Sequence, residues 1–178
     1  MPQAINQLKR ISPEVFYTNS SFVSVDTNIV TFLKDAAANS PKSRARLCTH
    51  TDPSALQQEM LIVMHRDSYV APHRHLDKSE TVTVLEGQAT AFLFSETGAE
   101  IETIDMDPYG SNGCFFYRMP KGIFHSLLFR SEWFVFLETT IGPFTPKRSQ
   151  IADWAPPESH TADGLNFLRA CVKNGKSL

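Results

Sequence analysis

The sequence predicts an all-β protein, a sandwich or barrel of many short strands with one amphipathic helix set before them. From residue 45 onward, eight short segments rich in β-branched and aromatic residues follow one another: ARLCTH, EMLIVMH, TVTVLEG, QATAFLF, AEIETIDM, CFFYRMP, FHSLLF and EWFVFLET. Turn-forming residues separate them, and no helical periodicity intervenes. With 178 residues, 42% of them hydrophobic, the chain is long enough to bury a core without disulfide or metal staples.

Ahead of the strands, EVFYT and SFVSV are expected as short strands around the turn-prone Asn19-Ser20. In the next stretch, residues 26–41, apolar side chains at Ile29, Phe32, Leu33, Ala36 and Ala37 have helical spacing. Asp26 or Thr27 is available as N-cap and Pro41 follows the end. After residue 141 the prolines at 143, 146, 156 and 157 predict an irregular C-terminal extension, in which Leu165, Leu168 and Val172 share one possible helical face. No repeat or linker divides the chain. The expected organisation is a single domain over residues 1–178: N-terminal strands and helix (1–44), a barrel core (45–140) and the extension (141–178).

Composition narrows the partners. A net charge of −2 and the lack of any lysine/arginine-rich run argue against nucleic acid and against an anionic membrane surface. No stretch approaches the 18 or so apolar residues of a membrane span, and the N-terminus lacks a signal-peptide pattern. A cytoplasmic protein is expected. Cys48, Cys114 and Cys171 are odd in number, widely separated and without a C-x-x-C pair, which reads as three reduced thiols.

The chemically distinctive stretch is PHRHLDKSETVTVLEG, residues 72–87. His73 and His75 stand at i and i+2, so on a strand both imidazoles project from one face. Glu80 follows after LDKS, long enough for the chain to reverse, so its carboxylate can meet the same ion from a neighbouring strand. Gly87 closes that strand at a turn suited to positive φ. His125, just past the Pro120/Gly122 turn, offers a fourth ligand. Six histidines in 178 residues give about 0.2 expected H-x-H pairs by chance. Requiring Glu and Gly at fixed offsets lowers this to roughly 0.0005, which favours a metal site over coincidence. His50, His65 and His160 lack the spacing and are read as structural or surface residues.

The run His73-x-His75-x4-Glu80-x6-Gly87, followed by Pro120-x-Gly122-x2-His125, resembles the two motifs of the cupin superfamily. That resemblance implies a cupin-type double-stranded β-helix, a jelly-roll barrel holding a metal inside its mouth. Asp67, Cys114 and Phe129 stand where the general pattern has glycine, glycine and asparagine; all three lie outside the ligand set. A closer resemblance is to the WbuC family of cupin-fold metalloproteins, through SPKSRARLCTH, SYVAPHRHLDKSE, VLEG, LETTIGPFTP and DWAPPE between residues 40 and 158. It implies His73, His75, Glu80 and His125 as metal ligands. It also implies a role in O-antigen and other surface polysaccharide metabolism, and so a sugar-related substrate.

Three imidazoles and one carboxylate leave one or two positions open on a five- or six-coordinate ion. Such donors suit Fe, Mn, Ni, Zn or Co, and the expected cofactor is one divalent ion of this group. An open centre suits a metal-dependent isomerase or epimerase acting on a sugar or another small polar molecule. With Fe(II) it suits a dioxygenase, and without turnover a metal-containing binding or sensory module. Among the remaining charged residues, Arg46, sharing a face with Cys48 and His50, and Arg118, just before the Pro120 turn, are candidate substrate-binding groups. Glu138 is the candidate base if burial raises its pKa. Arg74 and Lys78 are expected to point away from the site or lie in the turn, and Asp77 to be a turn residue. Exposed sheet edges near the N-terminus suggest a homodimer.

Overall fold

The computed structural model describes residues 5–175. In chain order its elements are β1 (Leu8–Arg10), β2 (Val15–Thr18), α1 (Thr27–Ala38), β3 (Arg44–Cys48), β4 (Gln57–His65), β5 (His73–His75) and β6 (Glu80–Glu86). They continue with β7 (Ala89–Phe94), β8 (Glu100–Met106), β9 (Phe116–Met119), β10 (Phe124–Phe129), β11 (Trp133–Ile141), β12 (Ser149–Ile151) and α2 (Thr161–Gly175). The strands form a seven-stranded sheet in the order β1-β2-β3-β4-β11-β6-β9 and a five-stranded sheet in the order β12-β5-β10-β7-β8. Within these two sheets only the β2–β3 pair is parallel. Face to face, they make the cupin-type jelly roll that the motifs implied.

Each apolar run has a physical reason. Along β4, Met60, Ile62 and Met64 point into the barrel and pack with Val82, Val84, Phe134 and Phe136. The alternate residues Leu61 and Val63 face outward under α1, against Leu33, Ile29 and Ala37. A strand buried on both faces cannot alternate, hence the uninterrupted MLIVM. Asp26 caps α1, its carboxylate accepting from Asn28 N and Ile29 N at 3.0 and 3.2 Å. The five-stranded sheet is covered in the same way. Phe92, Phe94, Phe124 and Leu128 pack against Leu165 and Leu168 of α2. The helix can approach because residue 164 is glycine: a Cβ there would lie 2.2 Å from the Tyr69 ring. The architecture is therefore helix, sheet, sheet, helix.

Two expectations change. SFVSV is not a strand: the Ser20 hydroxyl donates to Phe22 O at 2.7 Å and accepts from Phe22 N, a local turn that competes with sheet pairing. Phe22 is also 74% exposed. The C-terminal extension is more ordered than irregular, because it supplies β12 to the five-stranded sheet and α2 to its outer face. β12 is a three-residue strand, too short for a sequence pattern to announce. Gly87 has the expected positive φ, +79°, and a Cβ there would lie 2.0 Å from Trp133 O, so the turn after β6 excludes any larger residue.

Candidate metal centre

The register of the five-stranded sheet builds the histidine cluster. His73 on β5 is the direct cross-strand partner of His125 on β10, so the two side chains share a face. His75, two residues on, shares it as well. Ligand nitrogens of the three lie within 4.8 Å of one another. Glu80 comes from the opposite sheet, at the start of β6, and its side chain is 6% exposed. Its Oε2 is 2.9 Å from His75 Nε2 and its Oε1 is 3.0 Å from His125 Nε2. The cluster is thus clamped between the sheets, three imidazoles on one side and one carboxylate on the other.

A second layer of contacts orients the rings. His73 Nδ1 lies 3.0 Å from Ala71 O, and His125 Nδ1 lies 2.9 Å from Ile123 O. A backbone carbonyl only accepts, so each Nδ1 carries the proton and donates. In the neutral ring that leaves Nε2 as a bare lone pair aimed inward. His75 Nδ1 is held 2.9 Å from Ser149 Oγ, its cross-strand partner on β12. His125 Nε2 is buried and, although 3.0 Å from Glu80, lacks the alignment of a hydrogen bond. A buried nitrogen with no bonded partner, in a cluster of histidine and carboxylate donors, fits a divalent cation.

The electrostatics agree with a cluster set for a cation. Burial, then the neighbouring His125, pushes His73 down to about 4. Burial disfavours the Glu80 carboxylate, but His125 and His75 outweigh it and hold Glu80 well below the usual carboxylate range. His125 is raised, since Glu80 outweighs the opposing effect of burial. Without a cation, His125 and Glu80 therefore favour an imidazolium–carboxylate pair.

The cluster opens into a cavity of about 280 Å³ between the sheets. One cross-strand row on the seven-stranded sheet lines it, running Tyr17, Cys48, Met60, Glu138, Val82, Tyr117. Glu138 pairs with Val82 while Glu80 pairs with Thr140, so the two carboxylates are diagonal neighbours on one face, a relationship that spans about 7–8 Å between backbones. Burial, then the charge of Glu80, raises Glu138 to about 7. Burial also keeps the Tyr117 hydroxyl protonated, well above its ordinary value.

Of the other sequence candidates, Arg46 lines this cavity, but Arg118 does not. The alternation of β9 turns Tyr117 and Met119 inward and leaves Arg118 exposed, bonded to Ser79 Oγ at 3.1 Å. Arg74 faces away as expected, its guanidinium 4.5 Å from the Phe124 ring centre. Asp77 pairs with Arg148 at 2.8 Å. Lys78 lies in the turn between β5 and β6, as expected, but from there it reaches the cavity. His50 is a structural residue as expected, buried with its Nδ1 3.1 Å from both Glu59 N and Glu59 O, and it also lines the cavity. Tyr17, Tyr117 and Ser149 line the cavity as well and were not among the sequence candidates. Tyr117 alone had a local signal, lying two residues before the inward Met119; the others depend on long-range register.

Residues 25–106 match a family described only as a domain of unknown function, DUF6016. No curated protein matches the chain. Among solved structures, the recombinant pro-11S globulin of pumpkin superposes with a TM-score of 0.50 at 12% identity, over 63% of this chain and 29% of that one. Protein SO0799 from Shewanella oneidensis gives 0.47 at 17% identity, covering 70% of this chain and 78% of the other. KdgF from a Halomonas species gives 0.45 at 15%, covering 61% and 86%. At such identities the likeness is one of fold. Among the described residues no helix is long and apolar enough to cross a membrane.

Proposed function

We propose that this protein is a metal-dependent enzyme of the isomerase or epimerase kind, acting on a sugar or another small polar metabolite. His73, His75, Glu80 and His125 would hold one divalent ion, which supplies Lewis acidity towards a carbonyl or hydroxyl oxygen. The observation that carries the reading is Glu138. Its carboxyl lines the same cavity as the cluster, forms no hydrogen bond or ion pair among the described residues, and is pushed up to about 7. A group near neutrality can take a proton from a substrate carbon or hydroxyl and return it without a large penalty in either direction. A bound cation adds positive charge nearby and draws that value down, towards the base form. Tyr117, held protonated, can donate a hydrogen bond into the cavity, and the apolar side chains of Met60, Ile62 and Phe136 limit water there.

The resemblance to the WbuC family supports a sugar-related substrate and a place in O-antigen or other surface polysaccharide metabolism. A cytoplasmic homodimer joined through the short edge strand β1 completes the reading; sedimentation equilibrium at the 20.0 kDa monomer mass would remove the dimer.

Proton exchange with solvent tests the chemistry. Metal-loaded protein incubated in D2O with a panel of small sugars and sugar acids should place deuterium on a carbon next to the carbonyl. Glu138→Gln should slow this by about 10²–10⁴-fold with metal content unchanged. Oxygen uptake without exchange would favour the dioxygenase, and neither activity the binding module.

A further inference from the structure

Two cationic side chains reach the cavity without a protein counter-ion. Arg46 and Lys78 both line it, and neither is in an ion pair among the described residues. Arg46 Nε is buried with no hydrogen-bond partner. A buried guanidinium N–H left unbonded is costly, and such a donor is normally met by an acceptor from somewhere. Within the wall, Tyr17, Cys48 and Glu138 are its neighbours in charge. Of these the thiol and phenol are held protonated by burial, which leaves Glu138 as the acid beside Arg46; of the other lining acids, Glu80 sits in the histidine cluster and Glu14 is paired with Arg44 at 3.4 Å.

The sheet register orders these groups. Glu80 on β6 and Glu138 on β11 occupy adjacent strands and adjacent rows. Arg46, on β3, lies in the next row beyond Glu138, that of Ile62 and Phe136. Glu138 therefore stands between the metal cluster and Arg46 along the wall of one cavity. A divalent ion at the cluster would add to the positive charge that Arg46 and Lys78 already supply, and two carboxylates do not offset the three together.

We propose that the cavity selects a small oxyanion, a carboxylate or phosphate-bearing metabolite, with its charged group seated on Arg46 under the added field of Lys78 and its reacting carbons lying over Glu138 towards the metal cluster. The proposal rests on the reading of this cavity as an active site. Arginine binds carboxylate and phosphate oxygens through directed N–H···O bonds, while lysine contributes mainly charge. A volume of about 280 Å³ is at the lower end for small-molecule sites, so the ligand is a monomer such as a sugar acid or sugar phosphate and not a polysaccharide chain.

The test uses protein carrying one equivalent of Zn²⁺ and follows the Arg46 Nε–H resonance by ¹H–¹⁵N NMR. Glycolate and inorganic phosphate are the oxyanion probes, and ethylene glycol is the neutral counterpart. At least one oxyanion should shift the Arg46 signal saturably with Kd on the order of 10 mM or below, and ethylene glycol should not. The stronger oxyanion identifies a carboxylate or a phosphate ester as the natural group. Arg46→Gln should weaken that oxyanion about tenfold or more and Lys78→Met by a smaller factor, with zinc stoichiometry unchanged in both. An Arg46 signal indifferent to both oxyanions overturns the proposal, and this measurement needs no variant. So does wild-type affinity in an Arg46→Gln/Lys78→Met double variant, which would put the anion on the metal alone. Saturable binding without deuterium exchange on any substrate keeps the seat and removes the enzyme; exchange with an Arg46 signal indifferent to oxyanions removes only the seat.

Discussion

His73 and His125 face each other across β5 and β10 as direct cross-strand partners, their ring centres 4.6 Å apart. Because one residue is the register mate of the other, both imidazoles project from the same face of the sheet at the same point. Replacing His73, His75, Glu80 or His125 singly with alanine should therefore lower metal affinity in each case while the fold persists. His50→Ala and His65→Ala should retain one equivalent per chain, as read by metal analysis of the purified variants.

Ser149 gives a finer test, since it touches no ion. Its hydroxyl sits 2.9 Å from His75 Nδ1 and orients that ring. Ser149→Ala should weaken metal binding by roughly 10–100-fold, whereas the stoichiometry at saturating metal should remain at one. Competition against a chromogenic chelator reads the difference.

Metal affinity should fall with pH, and His125 should set the onset. Glu80 raises His125 above its ordinary value, so the imidazolium persists to higher pH and must lose its proton when a cation enters. His73, at about 4, is already unprotonated near neutrality and adds no pH dependence there. Binding should release protons, and affinity should decline as pH falls, with the onset above the ordinary histidine range. Calorimetry in buffers of different ionisation enthalpy counts the protons, and an affinity that does not change as pH falls from alkaline to mildly acid would contradict the assignment.

Glu158 links acid to stability far from the cavity. Its carboxylate pairs with Arg44 and Lys42 at 3.3 and 2.9 Å, and they hold its pKa below the ordinary value against the opposing effect of burial. A depressed folded-state value means stability that is present above the unfolded pKa and lost as pH falls through the folded one. With the side chain 29% exposed, Glu158→Gln should cost only about 0.5–1 kcal/mol at pH 7. In urea titrations that difference should shrink as pH falls through the folded-state value and disappear once the carboxyl is protonated.

Leu33 reports on the outer layer. It is fully buried between α1 and the seven-stranded sheet, so Leu33→Ala should cost about 2–5 kcal/mol. Metal stoichiometry should be unaffected, because the helix packs on the face of the sheet opposite the cavity.

What could be read from the chain was what depends on local periodicity. Two histidines at i and i+2 share a face on any strand, and Gly87 at a turn demands its own φ, so the His73/His75 pair and the turn after β6 were legible. The Asp26 cap and the Ile29, Leu33 and Ala37 stripe were legible for the same reason. Arg118 was misjudged because strand alternation fixes which residues share a face but not which face turns inward; the inward Tyr117 decides it. Lys78 sits in a turn, where no periodicity points a side chain. Ser149 and Tyr17 reach the site only through pairing between segments far apart in sequence, β12 with β5 and β2 with β3, and no local pattern encodes such register. SFVSV has strand composition but no neighbour to pair with, and the Ser20 hydroxyl claimed its backbone instead.

The most direct measurement of the central claim is an anomalous difference map, recorded at the metal's absorption edge, from crystals of the protein loaded with one equivalent of Zn²⁺. A single peak should lie about 2.0–2.1 Å from Nε2 of His73, His75 and His125 and within bonding distance of a Glu80 oxygen. No peak within bonding distance of these three histidines, with zinc bound elsewhere or not at all, would contradict it.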